Sequence, residues 1–243
     1  MRQFPCERCP LRAIDVFRKF TDDELEFVSG FKTGEHNAEV GATLLTQGSS
    51  SAQIFTVLSG WGFRYKDLDD GRRQILNYVF PGELIGLQGA VLKEMEHSVQ
   101  ALSDMVLCVF ERRRLWELYE KHPALGFDIT WLAAREEQIL EDHLLSIGRR
   151  TAIERMAYLL LHIYDRARRV GMTTKNGFET ALTQQHVSDT LGLSLVHTNK
   201  TLRKLYDMKL VSWKRRMLQI LDFDALAEVA KWSRVDEDSR PFI

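Results

Sequence analysis

Only three cysteines and five prolines occur in 243 residues. So few thiols exclude the disulfide framework that staples small secreted domains and leave free thiols, metal ligands or redox chemistry. No stretch approaches the ~20 consecutive apolar residues a membrane span needs. The opening MRQFPCERCPLR lacks the apolar core of a secretory leader, so a cytoplasmic location and no membrane partner are expected. The seven histidines are scattered without a spacing such as His-x-x-x-His. With no nucleophile elbow or phosphate loop either, no enzyme is expected. Net charge is also nearly absent, at -1. That balance conceals a division: residues 149–221 carry 14 Lys and Arg against 5 Asp and Glu, a net of +9 that leaves -10 for the remainder. Cationic charge confined to one region is the footprint of a phosphate-binding surface, whereas a merely solvated surface mixes its signs.

Within the basic region runs LTQQHVSDTLGLSLVHTNKTLRKLYDMKLV, residues 182–211. It reads as two short helices joined by a tight turn. Thr183 is a good N-cap for a first helix that buries Val187 and Leu191. Gly192 permits the sharp turn, and Ser194 caps the second helix. Thr198, Leu202 and Leu205 repeat at helical spacing and face inward, leaving Val196, Asn199, Lys200, Arg203 and Lys204 outward. Such a helix fits the major groove of double-stranded DNA, where amide and cationic groups bond base edges and valine meets a thymine methyl. VSWKRRMLQI then reads as two strands around Lys214, Arg215 and Arg216, a basic wing against phosphates.

Upstream the period changes. From about Glu39 to Arg114 short strands alternate with glycine turns, the pattern of a barrel or roll. Trp61, Phe63 and Tyr65 alternate with Gly62, Arg64 and Lys66, which predicts a half-buried strand, and Asp70-Gly71 makes its hairpin turn. After Arg114 a long amphipathic helix is expected, with Leu125, Ile129, Leu132 and Ile139 on one stripe and Glu136, Glu137 and His143 near it. That stripe could bury against the chain's own barrel, but its length suits pairing with a second copy. TAIERMAYLLLHIYDRARRVG follows as an apolar helix under the reader. The tail from Asp222 holds a short helix, DALAEVAKWS, and a charged end expected to fray.

The order of PGELIGLQGA in a barrel, a long helix, GRRTAIERMAYLL and LTQQHVSDTLGLSLVHTNKTL resembles the Crp/Fnr superfamily of dimeric bacterial transcription regulators. The resemblance covers nearly the whole chain. It implies an α+β protein with a 1–24 arm carrying Cys-x-x-Cys and a 25–114 cyclic-nucleotide-binding-like β-barrel (double-stranded β-helix or jelly roll). It further implies a 115–147 dimerisation helix, a 148–222 winged helix-turn-helix and a 223–243 helix and tail. A homodimer would grip a two-fold DNA site, with half-sites about one helical turn apart, and address RNA polymerase. Val196, Asn199 and Lys200 then take the base-reading positions. Thr183, Gln185, Ser194 and His197, with Arg203, Lys204 and the wing cations, take phosphate or cap positions.

Cyclic-nucleotide-binding members hold ribose with a glutamate and phosphate with an Arg-Ser pair. Those positions are Leu87, His97 and Ser98 here, so cyclic AMP is not the expected ligand. The Fnr branch instead binds a [4Fe-4S] cluster, and the resemblance assigns Cys6, Cys9 and Cys108 as ligands. Asp15 stands where a further cysteine is usual. On the residues alone, Cys108 equally suits a small buried hydrophobe, and the Cys6/Cys9 pair a thiol switch or a zinc half-site. A small-molecule-binding module whose basic domain contacts protein is the competing class.

Overall fold

A computed structural model describes residues 4–175, 177–233 and 239–243. Two compact units emerge. The first contains residues 1–66, 78–138 and 237–243, and the second contains 67–77 and 139–236. In the arm, two 3-10 turns, Cys6–Arg8 and Pro10–Ala13, precede α1 (Asp22–Phe31). Thr21 caps α1 through a reciprocal box with Glu24, each side chain meeting the other's backbone N–H. The strands that follow are β1 (Lys32–Ala38), β2 (Thr43–Leu45), β3 (Gln53–Ser59), β4 (Gly62–Asp67), β5 (Arg73–Val79) and β6 (Leu84–Ile85). Next come α2 (Leu87–Leu92), β7 (Ser98–Ala101), β8 (Met105–Glu111), α3 (Leu115–Lys121) and α4 (Pro123–Arg149).

The strands form two four-stranded sheets, β1-β8-β3-β6 and β2-β7-β4-β5. Their core draws Val57, Leu107 and Val109 from the first sheet and Leu45, Val79 and Val99 from the second, so apolar faces meet between sheets. The expected barrel is therefore an open two-sheet roll. The PGELIG turn needs its glycines: Gly82 and Gly86 both have positive φ, and a Cβ on Gly82 would sit 2.2 Å from the Phe17 ring.

Strand β4 corrects the half-buried expectation. Trp61 and Phe63 are buried as alternation requires, but Gly62 and Arg64 on the opposite face are buried too. A Cβ on Gly62 would meet the Gln100 carbonyl at 2.4 Å, and Arg64 pairs with Glu136 of α4 at 2.9 Å. Glu136 is thus neutralised by its own chain.

The long helix is also amended. It breaks at His122, because Pro123 cannot extend α3 but is suited to the first turn of α4. Leu125, Ile129, Leu132 and Ile139 are all buried within the single chain. The stripe assigned to a partner is therefore already covered. The apolar residues α4 leaves outward are Phe127, Leu140, Leu144 and Leu145. No helix among the described residues is long and apolar enough to cross a membrane.

The second unit is built on α5 (Ala152–Arg169), whose Met156, Leu160 and Ile163 are buried. Then come β9 (Thr173–Thr174), β10 (Gly177–Glu179), α6 (Gln184–Leu191), α7 (Leu195–Asp207), β11 (Val211–Lys214), β12 (Met217–Ile220) and α8 (Phe223–Ala230). A third sheet, in the order β11-β12-β10-β9, carries the wing. Residues 67–77, the tip of the β4–β5 hairpin, belong to this unit. There Arg73 pairs with Asp189 on α6 at 2.8 Å and Arg166 of α5 donates to Asn77 at 2.7 Å. The charged stretch 234–238 lies outside the described residues. Ser239–Ile243 does not fray: Arg240, Phe242 and Ile243 are buried in the first unit.

Candidate nucleic-acid interface and cysteine pocket

Local chemistry fixes the two reader helices. The Thr183 hydroxyl accepts the His186 N–H at 3.2 Å, and the Thr183 N–H donates to His186 Nδ1 at 3.2 Å. Burial holds the His186 pKa below its ordinary value, which keeps that nitrogen an acceptor. Gly192 closes α6 at φ +63. The Ser194 hydroxyl accepts the His197 N–H at 3.2 Å to start α7. Val187, Leu191, Thr198, Leu202 and Leu205 are buried. Underneath, the Arg155 guanidinium donates to the Leu191 carbonyl at 3.2 Å and so satisfies the end of α6. No sequence pattern marked Arg155, since its role depends on where α5 passes.

That packing leaves one face of α7 open. Val196, Asn199, Lys200, Arg203 and Lys204 are exposed, Val196 at 65%. An exposed valine beside an exposed amide and cations serves no core and suits base edges. His197 is exposed beside them, while Gln185 donates to Asp189 at 2.6 Å. Lys214, Arg215 and Arg216 stand exposed at the β11–β12 turn. Arg215 occupies the left-handed region at φ +57, which favours glycine. A cation is retained there despite the backbone cost.

At the former cyclic-nucleotide positions, Leu87 starts α2 while His97 and Ser98 are buried. Burial, reinforced by the Arg64 and Lys66 charges, pushes the His97 pKa down to about 3. A neutral imidazole offers a cyclic phosphate little. The Arg64 guanidinium is already engaged by Glu136 and the Leu84 carbonyl.

Cys6 and Cys9 and, 99 residues further along the chain, Cys108 line one cavity of about 20 Å³ in the first unit, together with Lys32, Phe242 and Ile243. Lys32 is buried there, donating to Glu35 at 2.6 Å and to the Phe4 carbonyl at 2.8 Å. Burial opposes the lysine charge, yet the Glu35 bond and the sulfurs more than offset it and its pKa rises. Burial pushes the Cys108 thiol up to about 12 and raises Cys9 as well. Protonated, covered thiols are poor nucleophiles. Sequence reasoning missed Lys32: a buried lysine has no periodic signature.

This donor set does not fit a [4Fe-4S] cluster, which takes four ligands. Asp15 is exposed and absent from the cavity wall, and the space holds about one water. Among the described residues no group of three His, Cys, Asp or Glu side chains is placed to hold a metal ion.

Residues 35–122 match the family model of the cyclic nucleotide-binding domain, and residues 154–229 match the Crp-like helix-turn-helix domain. The transcriptional activator protein FnrL of Cereibacter sphaeroides is 26% identical over 93% of this chain and 91% of its own. The transcriptional activator protein anr of Pseudomonas aeruginosa is 26% identical over 94% and 93%. FixK2 from Bradyrhizobium japonicum has the same fold, with a TM-score of 0.73 at 22% identity over 82% of this chain and 98% of that one.

Proposed function

We propose that this chain, a Crp/Fnr-type transcriptional regulator similar to the Fnr-like activators, binds a two-fold DNA site as a homodimer under control of its cysteine pocket. The observation that carries the DNA reading is the split of α7 into a buried Thr198, Leu202 and Leu205 face and an exposed Val196, Asn199 and Lys200 face. Lys200 addresses guanine and Asn199 adenine, while Val196 contacts a thymine methyl. Arg203, Lys204 and the wing cations contact phosphates, Thr183 and Ser194 cap the helices, and His197 reaches the backbone at the start of α7. RNA polymerase is the partner such a complex would address. Site selection from random duplexes tests the assignment: Lys200→Ala relaxes the base preference at one position of each half-site, and an unaltered selected sequence overturns it.

For the dimer, the exposed apolar residues Phe127, Leu144 and Leu145 of α4 supply a seam beside the buried stripe. Their outward position on α4 is what supports this. The convergence of all three cysteines on one cavity supports a thiol input. Oxygen transfer from a peroxide breaks its O–O bond, turns one thiol into a sulfenic acid and leaves an alcohol or water. That adds a polar atom to a cavity with no room for it. Anaerobic purification with visible spectroscopy and iron and sulfide assays tests this reading. A colourless protein whose DNA affinity responds to peroxide supports it, and stoichiometric iron and sulfide on the three cysteines overturn it.

A further inference from the structure

We infer that Ser239–Ile243 is a latch, a segment of the chain docked on both the cysteine pocket and the PGELIG turn whose release reports the state of that pocket to the DNA reader. This inference rests on the thiol input proposed above. The segment is built in on several sides. Its Arg240 N–H donates to the Val16 carbonyl at 2.8 Å, and the Arg18 N–H donates to the Arg240 carbonyl at 2.9 Å. These two bonds make a parallel bridge to the arm that carries Cys6 and Cys9. The Phe242 ring packs on Phe20 at 4.8 Å and Phe17 at 5.1 Å. Phe17 in turn fills the space over Gly82 that a side chain would occupy. Arg240 pairs with Glu83 of the same turn at 3.1 Å, both side chains being buried. Phe242 and Ile243 line the same cavity as the thiols.

Sequence connects these contacts to the reader. Only eight residues separate Ala230, the last residue of α8 in the second unit, from Ser239. The docked segment is therefore joined to the unit that reads DNA by a short stretch of chain. Coupling is reciprocal: a thiol modification that favours the undocked segment must itself be favoured by undocking. While the segment is docked, the Cys6 and Cys108 thiols are covered, and burial raises the Cys108 pKa. The latch thus sets their reactivity, and the short connection to the second unit carries its state toward the reader.

The test uses the full chain and iodoacetamide, with alkylation of each cysteine followed by mass spectrometry. Phe242→Ala removes a buried ring from the wall and raises the Cys108 alkylation rate about tenfold or more. Glu83→Gln, which leaves the rings in place, gives a smaller increase and covers the case in which Phe242→Ala does not fold. The same variants shift DNA affinity about threefold or more, in the direction that peroxide shifts the wild type. An unchanged Cys108 rate in both variants overturns the latch. So does faster alkylation with unchanged DNA affinity, which makes the segment a cover only. If the variants change DNA affinity in a background with all three cysteines replaced by alanine, while peroxide leaves the wild type unaffected, the latch stands and the thiol input falls.

Discussion

Arg215→Gly separates the stability of the wing from its contact with DNA. Arg215 lies at φ +57 in the two-residue turn where Lys214 pairs with Met217. A side chain in that region costs roughly 1–2 kcal/mol, and glycine releases the strain. Glycine's extra freedom in the unfolded chain gives back about 0.5–1 kcal/mol. Net stability should therefore hold or rise by no more than about 1.5 kcal/mol. Affinity behaves differently, because in the proposed interface the variant loses one phosphate contact per protomer and two per dimer. Each contact contributes about 0.9 to the slope of log affinity against log salt, so the slope should fall by about 1.8. Between about 50 and 200 mM salt, the affinity ratio of wild type to variant then changes roughly twelvefold. Fluorescence anisotropy on a labelled duplex at several salt concentrations reads this directly, with thermal unfolding as the control. An unaltered slope in a protein of unaltered stability would remove the wing from the interface.

Three further outcomes follow from the geometry. Leu144→Glu puts a charge on an exposed position of α4 and should shift sedimentation from dimer to monomer with loss of specific DNA binding, whereas Leu125→Ala should destabilise the protomer by about 2–5 kcal/mol in denaturant unfolding; a dimer unaffected by Leu144→Glu rejects the outward seam. Because His97 is held near 3, below the 6.5 of a free imidazole, the unfolded chain binds more protons between those values. Its contribution to stability is complete above about pH 6.5 and is lost as pH falls toward 3, so His97→Gln should flatten the acid limb of a stability curve in that window; an identical limb contradicts the burial argument. Leu205→Ala, at a position with no exposed surface, should cost about 2–5 kcal/mol and abolish site-specific binding, and retention of both would mean that α7 is held by something else.

How much of this was legible in the sequence depended on the range of the interactions. Thr183, Gly192 and Ser194 act on their own neighbours within four residues, and each does what its type and position indicate. Helical period alone separated Thr198, Leu202 and Leu205 from Val196, Asn199 and Lys200, because a helix with one packed side repeats regularly. The α4 stripe was recognised as apolar, with the chain's own barrel and a second copy both open as its cover. Periodicity reports that a face is buried, not what covers it, and Leu125 and Ile129 are covered within the chain. The break before Pro123 was readable from the proline itself. The cysteine positions were legible, but their convergence with Lys32 and Phe242 was not, since those contacts join distant segments. The Phe242–Ile243 pair after a charged run was a signal of docking that composition alone read as a fraying end.

The proposed answer of the reader to the cysteine pocket is read by measuring the affinity of the anaerobically purified protein for its selected duplex before and after peroxide, beside a variant with Cys6, Cys9 and Cys108 replaced by alanine. A wild-type shift of about tenfold, corresponding to roughly 1.4 kcal/mol of coupling, with none in the variant, is the expected result. Equal affinities for the wild type in both states, or the same shift in the cysteine-free variant, would contradict it.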